Sequence, residues 1–217
     1  MRLSGLEDRR PRQLSAGQQQ RVAMARALAP EPEVLLLDEP FSALDSLTKE
    51  HLQLEIMEVQ EFYKGSIILV THDLAEAYRL SSRLAVYEGG KILQCGPKEL
   101  IVSSPANWKV ARMMGMRNCL DGFVAEIGDS GVWVTIPGLD TRLRVATNNH
   151  KSLTANQPVA VGVYPQYVRV AEGPGQNTFS GSLDRKVDAI TSVNCFFRLD
   201  TDSGESIQFI TPFRKIF

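Results

Sequence analysis

The sequence predicts an α/β unit over residues 1–115 followed by an all-β unit over residues 116–217. Before about residue 117, helical and strand patterns alternate, which is typical of strands layered against helices. After residue 118, short alternating apolar runs are separated by turn residues, a pattern typical of all-β domains. The length of 217 residues fits one large domain or two small ones, at about 150 residues per domain.

The first predicted helix and the two predicted strands of the α/β unit follow from apolar runs and from prolines. Gln18–Leu28 is rich in Ala and is followed by Pro30 and Pro32, which end a helix. Val34–Leu37 and Ile67–Val70 are short continuous apolar runs. Such runs predict strands that are buried on both faces.

Two more helices and a hairpin complete the predicted α/β unit. One apolar stripe with helical spacing runs along Leu52, Ile56, Val59 and Tyr63, and its helix is expected to end near Gly65. Leu74–Leu80 predicts a second, short helix. Glu88-Gly89-Gly90 lies between the segments Leu84–Tyr87 and Lys91–Gln94, which indicates a hairpin.

The all-β unit contains an internal repeat. Asn118-Cys-Leu-Asp-Gly122 matches Asn177-Thr-Phe-Ser-Gly181, 59 positions later, and Arg142–Thr147 resembles Ser206–Thr211. A chance match of two N-x-x-x-G segments is the alternative, but the order of the later strands also agrees. We therefore predict copies at about 118–170 and 177–217, the second one shortened, with strands at 132–136, 143–145, 159–163 and 167–170.

Composition excludes several classes of protein. The 24 Lys and Arg residues nearly balance the 25 Asp and Glu residues, so no basic arm for nucleic acid is expected. No run approaches the length of a membrane span, and the N-terminus has no apolar signal-peptide region. The three cysteines are far apart, which argues against a disulfide framework or a zinc site and favours a reducing cytoplasm.

Leu14-Ser15-Ala16-Gly17-Gln18 precedes the first predicted helix and forms a candidate anion-binding segment. A hydroxyl side chain, a Gly that lets the backbone approach a ligand, and the N–H groups of a helix N-terminus together suit a phosphate. The alternative is that Ser15 is an ordinary N-cap residue. Local sequence does not decide between the two interpretations.

Two carboxylates follow the first predicted strand directly, in Val34-Leu-Leu-Leu-Asp38-Glu39-Pro40. They are expected at the carboxyl edge of the sheet, where α/β proteins bind ligands. Asp38 is a candidate for orienting Mg²⁺, directly or through water, and Glu39 is a candidate general base. The alternative is that both acids end the strand and remain solvated.

Two further segments carry candidate site residues. Ser42-Ala-Leu-Asp45 is a turn, and Asp45 or Ser46 could also cap the helix that follows. His72, in Val70-Thr-His-Asp73, follows the second predicted strand, which makes it a candidate donor to a phosphate, although a lone His is usually a surface residue. His51 and His150 have no such context and are expected on the surface.

Together these four segments resemble, in order, the second half of an ATP-binding cassette (ABC) ATPase. Leu14–Gln18 resembles the signature motif, with Ala16 in place of its first Gly. Leu35–Glu39 resembles Walker B with its catalytic Glu, Ser42–Asp45 the D-loop, and His72 the switch histidine.

The resemblance implies a P-loop-NTPase-like fold and a site for ATP and Mg²⁺ shared by two ATPase subunits that dimerise head to tail. Ser15, Ala16, Gly17, Gln18 and Asp45 would contact nucleotide, with Ser15 and Gly17 reaching the γ-phosphate of ATP held mainly by the partner. Asp38, Glu39 and His72 would act on ATP at this chain's own side.

The sequence departs from the family in one respect. The phosphate-binding motif G-x-x-x-x-G-K-[ST] (Walker A) is not found, and the only Gly-Lys pair is Gly90-Lys91 in the predicted hairpin. The adenine-stacking aromatic residue and the Gln loop are missing as well. We therefore expect that the chain is a piece of a longer protein and does not hydrolyse ATP by itself.

The β unit resembles the TOBE domain of importer ATPases, which has an oligonucleotide-binding-like (OB-like) β fold. This implies a peripheral subunit at the cytoplasmic face of the membrane, with permease subunits and a solute-binding protein as partners. Expected solutes include molybdate or tungstate, sulfate and polyamines; the second copy most resembles the molybdate type, whose β domain can bind the oxyanion.

Two alternatives of other classes stay open: a non-catalytic oxyanion-binding β module that carries an ATPase remnant, and a non-transport cassette ATPase. The aromatic side chains of the β unit are better explained by packing than by nucleic-acid binding, because no basic groove accompanies them.

Overall fold

The computed structural model describes residues 3–128, 131–139, 142–146, 152–190, 192–199 and 207–214. Internal contacts divide the chain into two compact units, Met1–Ser103 and Ser104–Phe217. This division lies earlier than the predicted boundary between residues 115 and 116. The reason is a helix, Trp108–Met113, that the sequence reasoning missed and that packs against strand Pro158–Val163 of the second unit.

The first unit combines helices with parallel and antiparallel strands, as the α/β prediction required. Its elements in chain order are α1 (Ala16–Leu28), β1 (Val34–Asp38), α2 (Ser46–Phe62), β2 (Ser66–Val70), α3 (Leu74–Leu80), β3 (Arg83–Glu88), β4 (Lys91–Pro97) and α4 (Lys98–Ser103). A single 3₁₀ turn, Pro11–Gln13, precedes α1. None of the helices in the described part of the chain is both long and apolar enough to cross a membrane.

The strands β1 and β2 pair in parallel, from Val34 opposite Ser66 to Asp38 opposite Val70. Because parallel strands run in the same direction, their carboxyl ends meet at one edge of the sheet. The apolar core of the first unit lies on one face of this sheet and contains Met24, Leu35, Leu37, Phe41, Leu52, Ile56 and Leu80.

The prediction that these two strands are buried on both faces is wrong for this chain. Leu35 and Leu37 are buried, whereas Leu36 is 70% exposed and Ile68 is 52% exposed. The continuous apolar run therefore alternates in burial like a strand with one solvated face. The physical reason is that, among the described residues, the core packs against one face of the β1–β2 sheet only.

The predicted helices and the hairpin are confirmed. The apolar stripe of α2 buries Leu52, Ile56 and Val59. Gly89 and Gly90 connect β3 to β4 with φ angles of 56° and 79°, which a two-residue hairpin of the primed type requires and which Gly adopts without a steric penalty.

The second unit is built from antiparallel strands and the short helix α5 (Trp108–Met113). Its strands are β5 (Asn118–Gly128), β6 (Gly131–Thr135), β7 (Leu143–Val145), β8 (Pro158–Val163), β9 (Gly181–Asp188), β10 (Ser192–Leu199) and β11 (Ile207–Arg214). They form a four-stranded sheet in the order β7-β6-β5-β8 and a three-stranded sheet in the order β11-β10-β9.

The strand predicted at Tyr167–Val170 is not present. Pro165–Tyr167 forms a 3₁₀ turn, and residues 168–170 belong to no helix or strand. The prediction was wrong because Pro165 stands at the first position of the turn, where its fixed φ favours the turn.

The two copies of the predicted repeat contain the same meander of three strands. Each copy contains a β-bulge. In β5, Ala125 has no partner in β6, and in β9, Asp184 has no partner in β10. Each bulge lies three residues after the glycine of its copy, Gly122 or Gly181. A Cβ on either glycine would lie 2.6 Å from a carbonyl oxygen of the neighbouring strand, so both copies require Gly there.

The asparagine that begins each copy binds the third strand of the other copy's meander. Asn118 accepts from the Ile210 N–H at 2.7 Å and donates to the Ile210 carbonyl at 2.9 Å. Asn177 accepts from the Arg144 N–H at 2.8 Å and donates to the Arg144 carbonyl at 2.9 Å. Each side-chain amide thus replaces a pair of ladder hydrogen bonds. Phe209 of β11 also joins the core of the first copy, so the copies share one core.

We predict that Asn118→Ala lowers the free energy of unfolding of the second unit by about 2–4 kcal/mol, because two buried backbone groups of Ile210 lose their partner. Asn177→Gly is the matched variant. It breaks the equivalent exposed contacts while Gly accepts the φ of 56°, and it should cost about 1 kcal/mol or less.

The measurement is urea unfolding followed by tryptophan fluorescence, which reports on the second unit because Trp108 and Trp133, the two tryptophans of the chain, both lie in it. Equal losses for Asn118→Ala and Asn177→Gly would contradict the prediction.

Candidate functional site

A tight turn at the carboxyl end of β1 carries Glu39. Its backbone has φ 45°, a left-handed conformation that is uncommon for a residue other than Gly. The Glu39 N–H donates to the Val70 carbonyl at 2.9 Å, and the Ser42 hydroxyl and N–H donate to the Glu39 carbonyl at 3.0 and 3.2 Å. Backbone strain that surrounding contacts maintain is common where a side chain must be held for function.

The Glu39 carboxylate receives two hydrogen bonds from His72. The His72 N–H donates to Glu39 Oε1 at 3.1 Å, and His72 Nδ1 lies 2.8 Å from the same oxygen. Because an ionised carboxylate only accepts, Nδ1 carries the proton in this contact. The His72 side chain is 81% exposed and that of Glu39 is 35% exposed, so the pair faces solvent.

The hydrogen bond that His72 donates to Glu39 raises the pKa of His72, and the negative charges of Glu39, Glu76 and Asp73 raise it further. The protonated imidazole is therefore favoured beside Glu39. The contacts with His72 use Oε1 of Glu39, and the described residues show no hydrogen bond to its Oε2. That oxygen is chemically able to accept a proton from a water molecule.

Asp38 ends β1 beside Val70 and is exposed. Mg²⁺ in nucleotide sites is commonly bound by one or two carboxylates together with phosphate oxygens and water. An exposed carboxylate at this edge, next to Glu39, fits that donor set. No group of three or more His, Cys, Asp or Glu side chains within the described ranges could hold a metal ion by itself.

The N-terminus of α1 is built by Ser15 and Gln18. The Gln18 N–H donates to Ser15 Oγ at 3.3 Å, and the Ser15 N–H donates to Gln18 Oε1 at 3.0 Å, which is a capping box. Ser15 is thus the N-cap residue that the alternative interpretation of this segment expected. Ser15 and Ala16 are exposed, and the Ala16 and Gly17 N–H groups make no hydrogen bond to the described residues, so the end of α1 can still accept an anion.

Asp45 caps α2 in the same way, as the alternative interpretation of that turn expected. Its Oδ1 accepts from the Thr48 N–H at 3.0 Å. The hydrogen bonds from the Thr48 side chain and backbone hold the pKa of Asp45 below its usual value. Asp45 therefore stays ionised at the N-terminus of α2, where the helix dipole favours a negative charge.

Gly17 lies where α1 crosses the first turn of α2. Gly17 is buried, and a Cβ added to it would lie 2.5 Å from the Cγ2 of Thr48. Thr48 is also the residue whose amide binds Asp45. The Gly in the signature-like segment thus gives α1 a close packing distance to α2, a role that the sequence reasoning missed.

A second contact, also missed from the sequence, joins the same two helices further along. Arg21 Nη2 lies 3.1 Å from Glu55 Oε1, close enough for an ion pair although the groups are not aligned for a hydrogen bond. The Glu55 side chain is 6% exposed and that of Arg21 is 18% exposed. Removing one partner would leave a buried charge uncompensated, so α1 and α2 are held together as a pair.

The structure brings some of the candidate residues together and leaves others apart. Glu39 and His72 are in contact, whereas no hydrogen bond or ion pair within the described residues joins the segment 15–18 to either of them. A polar cavity of about 220 Å³ lies beside the contact and is lined by Glu39, Ser42, Lys49, His72, Asp73 and four further residues. His51 is exposed as expected, and His150 lies outside the described residues.

Lys49 and Glu76 also line this cavity, and the sequence reasoning did not single them out. The available signal was the spacing of Lys49, one helical turn after Asp45. Nothing in the sequence pointed to Glu76 as its partner.

Comparisons with known proteins show what this chain is similar to. A family model described as ABC transporter matches residues 1–42. Over most of its length the chain is similar to proteins named as ATP-binding proteins of putrescine transport and of spermidine/putrescine import. The family resemblance of the sequence motifs therefore agrees with an independent comparison.

The individual relatives are polyamine transport proteins. The chain is 38% identical over 169 residues to the putrescine transport ATP-binding protein PotG of Escherichia coli K12, covering 78% of this chain and 44% of PotG. It is 40% identical over 184 residues to the spermidine/putrescine import ATP-binding protein PotA of Rubrobacter xylanophilus, covering 84% of this chain and 48% of that protein. The chain thus spans about half the length of these relatives.

Among solved structures, the ATP-binding cassette MJ0796, a dimer in a post-hydrolysis state with ADP and Pi, is 39% identical. The match covers 41% of this chain and 38% of that chain, with a TM-score of 0.36.

The names of the relatives specify polyamines, so the prediction of an oxyanion as the solute gains no support.

We predict that Gly17→Ala destabilises the first unit by about 1–3 kcal/mol, because the new methyl group overlaps Thr48 Cγ2. Thr48→Ser removes that methyl group and keeps the hydroxyl near Asp45. In the Thr48→Ser background, Gly17→Ala should be neutral or stabilising, since Ala is the better helix former by about 1 kcal/mol. Far-UV circular dichroism during urea unfolding measures all four proteins. The same loss in both backgrounds would disprove the proposed contact.

We predict from the Glu39 contact that the pKa of His72 lies above its ordinary value and that Glu39→Gln lowers it towards that value. Because the folded-state pKa of His72 is raised, the pair contributes stability at low pH, and that stability is lost as pH rises through this pKa. Two-dimensional NMR of the imidazole Cε1–H signals gives the titration. The Cε1–H signal of exposed His51 is the internal reference for comparing the two proteins. A His72 pKa that is unaffected by Glu39→Gln would contradict this prediction.

Proposed function

We propose that this chain supplies the signature, Walker B, D-loop and switch-histidine segments of the ATP-binding subunit of an ABC importer. The observation that carries the proposal is the contact of His72 with Glu39 at the carboxyl end of paired strands, directly after Asp38. The similarity to importer subunits over most of the chain supports it independently.

Glu39 is the proposed general base for ATP hydrolysis. His72 holds one carboxylate oxygen from two directions and leaves the other free to take a proton from the attacking water. A protonated His72 offers positive charge at the edge where phosphate would lie. Asp38 would hold Mg²⁺, whose chemistry there is to neutralise charge on the phosphate oxygens.

Ser15, Ala16, Gly17 and Gln18 are proposed to face nucleotide that is bound mainly by a second ATPase subunit in a head-to-tail homodimer. Their support is the exposed N-terminus of α1 with N–H groups directed away from the helix. Asp45, ionised at the start of α2, is the proposed D-loop contact to the same nucleotide. Permease subunits would hold the dimer at the cytoplasmic face of the membrane, and a solute-binding protein would deliver the solute.

A polyamine such as putrescine or spermidine is the proposed solute, because both relatives described above are named for these compounds. The second unit is proposed to be a TOBE-like domain of this subunit. Its support is the pair of strand repeats that share one core. Since this sequence contains no Walker A motif, the proposed hydrolysis belongs to the complete subunit and not to the chain by itself.

The test is ATP hydrolysis by the complete subunit that contains this chain, assembled with its permease and solute-binding protein in lipid. We expect Glu39→Gln to lower turnover at least about 100-fold while ATP binding is kept, because proton abstraction contributes about 10²–10⁴-fold to such reactions. Ser15→Arg should lower turnover as well, since the larger side chain occupies the anion-facing end of α1. Glu31→Gln, an exposed carboxylate outside the site, is the control and should leave turnover unchanged.

Turnover is compared with putrescine, spermidine, molybdate and sulfate as the added solute. We expect stimulation by a polyamine only. Normal turnover in Glu39→Gln would refute the assignment of the general base, and stimulation by molybdate or sulfate would refute the polyamine proposal.

A further inference from the structure

Lys49 connects the start of α2 with the residues around His72. It lies in the first turn of α2, where its N–H donates to the Asp45 carbonyl at 2.9 Å. Its Nζ lies 2.9 Å from Asp73 Oδ2 and 2.5 Å from Glu76 Oε1. One side chain therefore joins the D-loop segment to α3 across a sequence separation of 24 residues.

The residues on both sides of His72 belong to the same network. The Thr71 hydroxyl donates to Glu76 Oε2 at 2.5 Å, and the Asp73 N–H donates to Thr71 Oγ1 at 3.0 Å. Asp73 Oδ1 in turn accepts from the Ala75 and Glu76 N–H groups and caps α3. His72 has no contact with Lys49 in the network, but both of its neighbours in the chain are fixed by it.

We propose that Lys49 is a positioning residue that fixes the backbone of His72 against Glu39 and links it to the turn that carries Asp45. The catalytic meaning of this assignment rests on the proposed function, whereas the positioning itself is a property of the folded chain. If the turn that carries Asp45 moves, Lys49 moves with it and shifts Asp73 and Glu76. These residues bind Thr71 and so move the backbone on both sides of His72.

Burial distinguishes this network from an ordinary surface ion pair, which contributes little to stability. The Glu76 side chain is 5% exposed, and both of its carboxylate oxygens are bound by Lys49 and Thr71. The hydrogen bonds that Lys49 donates to Glu76 and Asp73 raise the pKa of Lys49, so the lysine stays charged. Removing its ammonium group would leave a buried carboxylate without its charge partner, which forces the segment 71–76 to rearrange.

Hydrogen exchange of the His72 amide, which donates to Glu39 Oε1, measures this positioning in the complete 217-residue chain. We expect Lys49→Met to accelerate exchange at His72, Ala75 and Glu76 about tenfold, because local opening becomes easier. Lys49→Arg keeps the charge, so the exchange rates of these amides should stay within about twofold of those in the unmodified chain. Lys64→Met, at an exposed lysine just after α2, is the matched control and should change none of these rates.

The sign of the change separates positioning from a purely electrostatic effect. Loss of a positive charge makes the surroundings of His72 more negative, which repels hydroxide and slows base-catalysed exchange at a position that does not open. Slower or unchanged exchange at His72 in Lys49→Met would therefore overturn the proposal. An equal acceleration at the amides of β3 and β4 would also overturn it, because that pattern reports general destabilisation.

Thr71→Val is the second variant, and it keeps the proposal testable if Lys49→Met does not fold. It removes the hydroxyl that donates to Glu76 and accepts from the Asp73 N–H without changing any charge, so exchange at His72 should accelerate by about threefold. No acceleration in Thr71→Val would count against the network. The exchange experiment contains no nucleotide, so unchanged exchange rates would overturn the positioning role of Lys49 without affecting the proposed ATPase function. Conversely, a turnover assay that refutes the ATPase function would leave the positioning of His72 by Lys49 intact.

Discussion

The parallel pairing of β1 with β2 is the constraint on which the rest of the candidate site depends. Its register sets Asp38 beside Val70, and this allows the Glu39 N–H to reach the Val70 carbonyl. With the Glu39 backbone held there, its carboxylate meets His72, a residue 33 positions later in the chain. A shift of the pairing by one residue would turn the strand faces over and separate these groups.

Contacts between the helices also fix the positions of α1, α2 and α3 around this edge of the sheet. Gly17 allows α1 to lie against Thr48, and the buried Arg21–Glu55 pair holds the same two helices further along. Lys49 then joins α2 to α3 beside His72. Because each contact involves a close approach or a buried charge, none of them tolerates a loose arrangement. The N-terminal end of α1 and the Glu39–His72 contact are thereby parts of one packed unit.

The second unit is built from two copies of the same three-stranded meander. Each copy has a glycine against a neighbouring carbonyl, a bulge three residues later and an asparagine that binds the third strand of the other copy's meander. Asn118 is buried and Asn177 is exposed, so the two equivalent contacts differ in energy although their geometry is the same. Reciprocal binding of this kind makes the copies interdependent, since each copy completes the other.

The sequence by itself determined the order of helices and strands in the first unit as far as the hairpin, but not α4. It also determined the repeat positions and the segments that carry Ser15, Asp38, Glu39, Asp45 and His72. These follow from local periodicity, capping residues and short motifs, which depend on neighbours in the chain. Only the tertiary structure decided which face of β1 is buried, that Gly17 serves helix packing, and that Lys49 pairs with Glu76. Those outcomes depend on groups that are distant in sequence, and the physical reason is that burial and charge pairing are set by what packs in space, which local pattern does not encode.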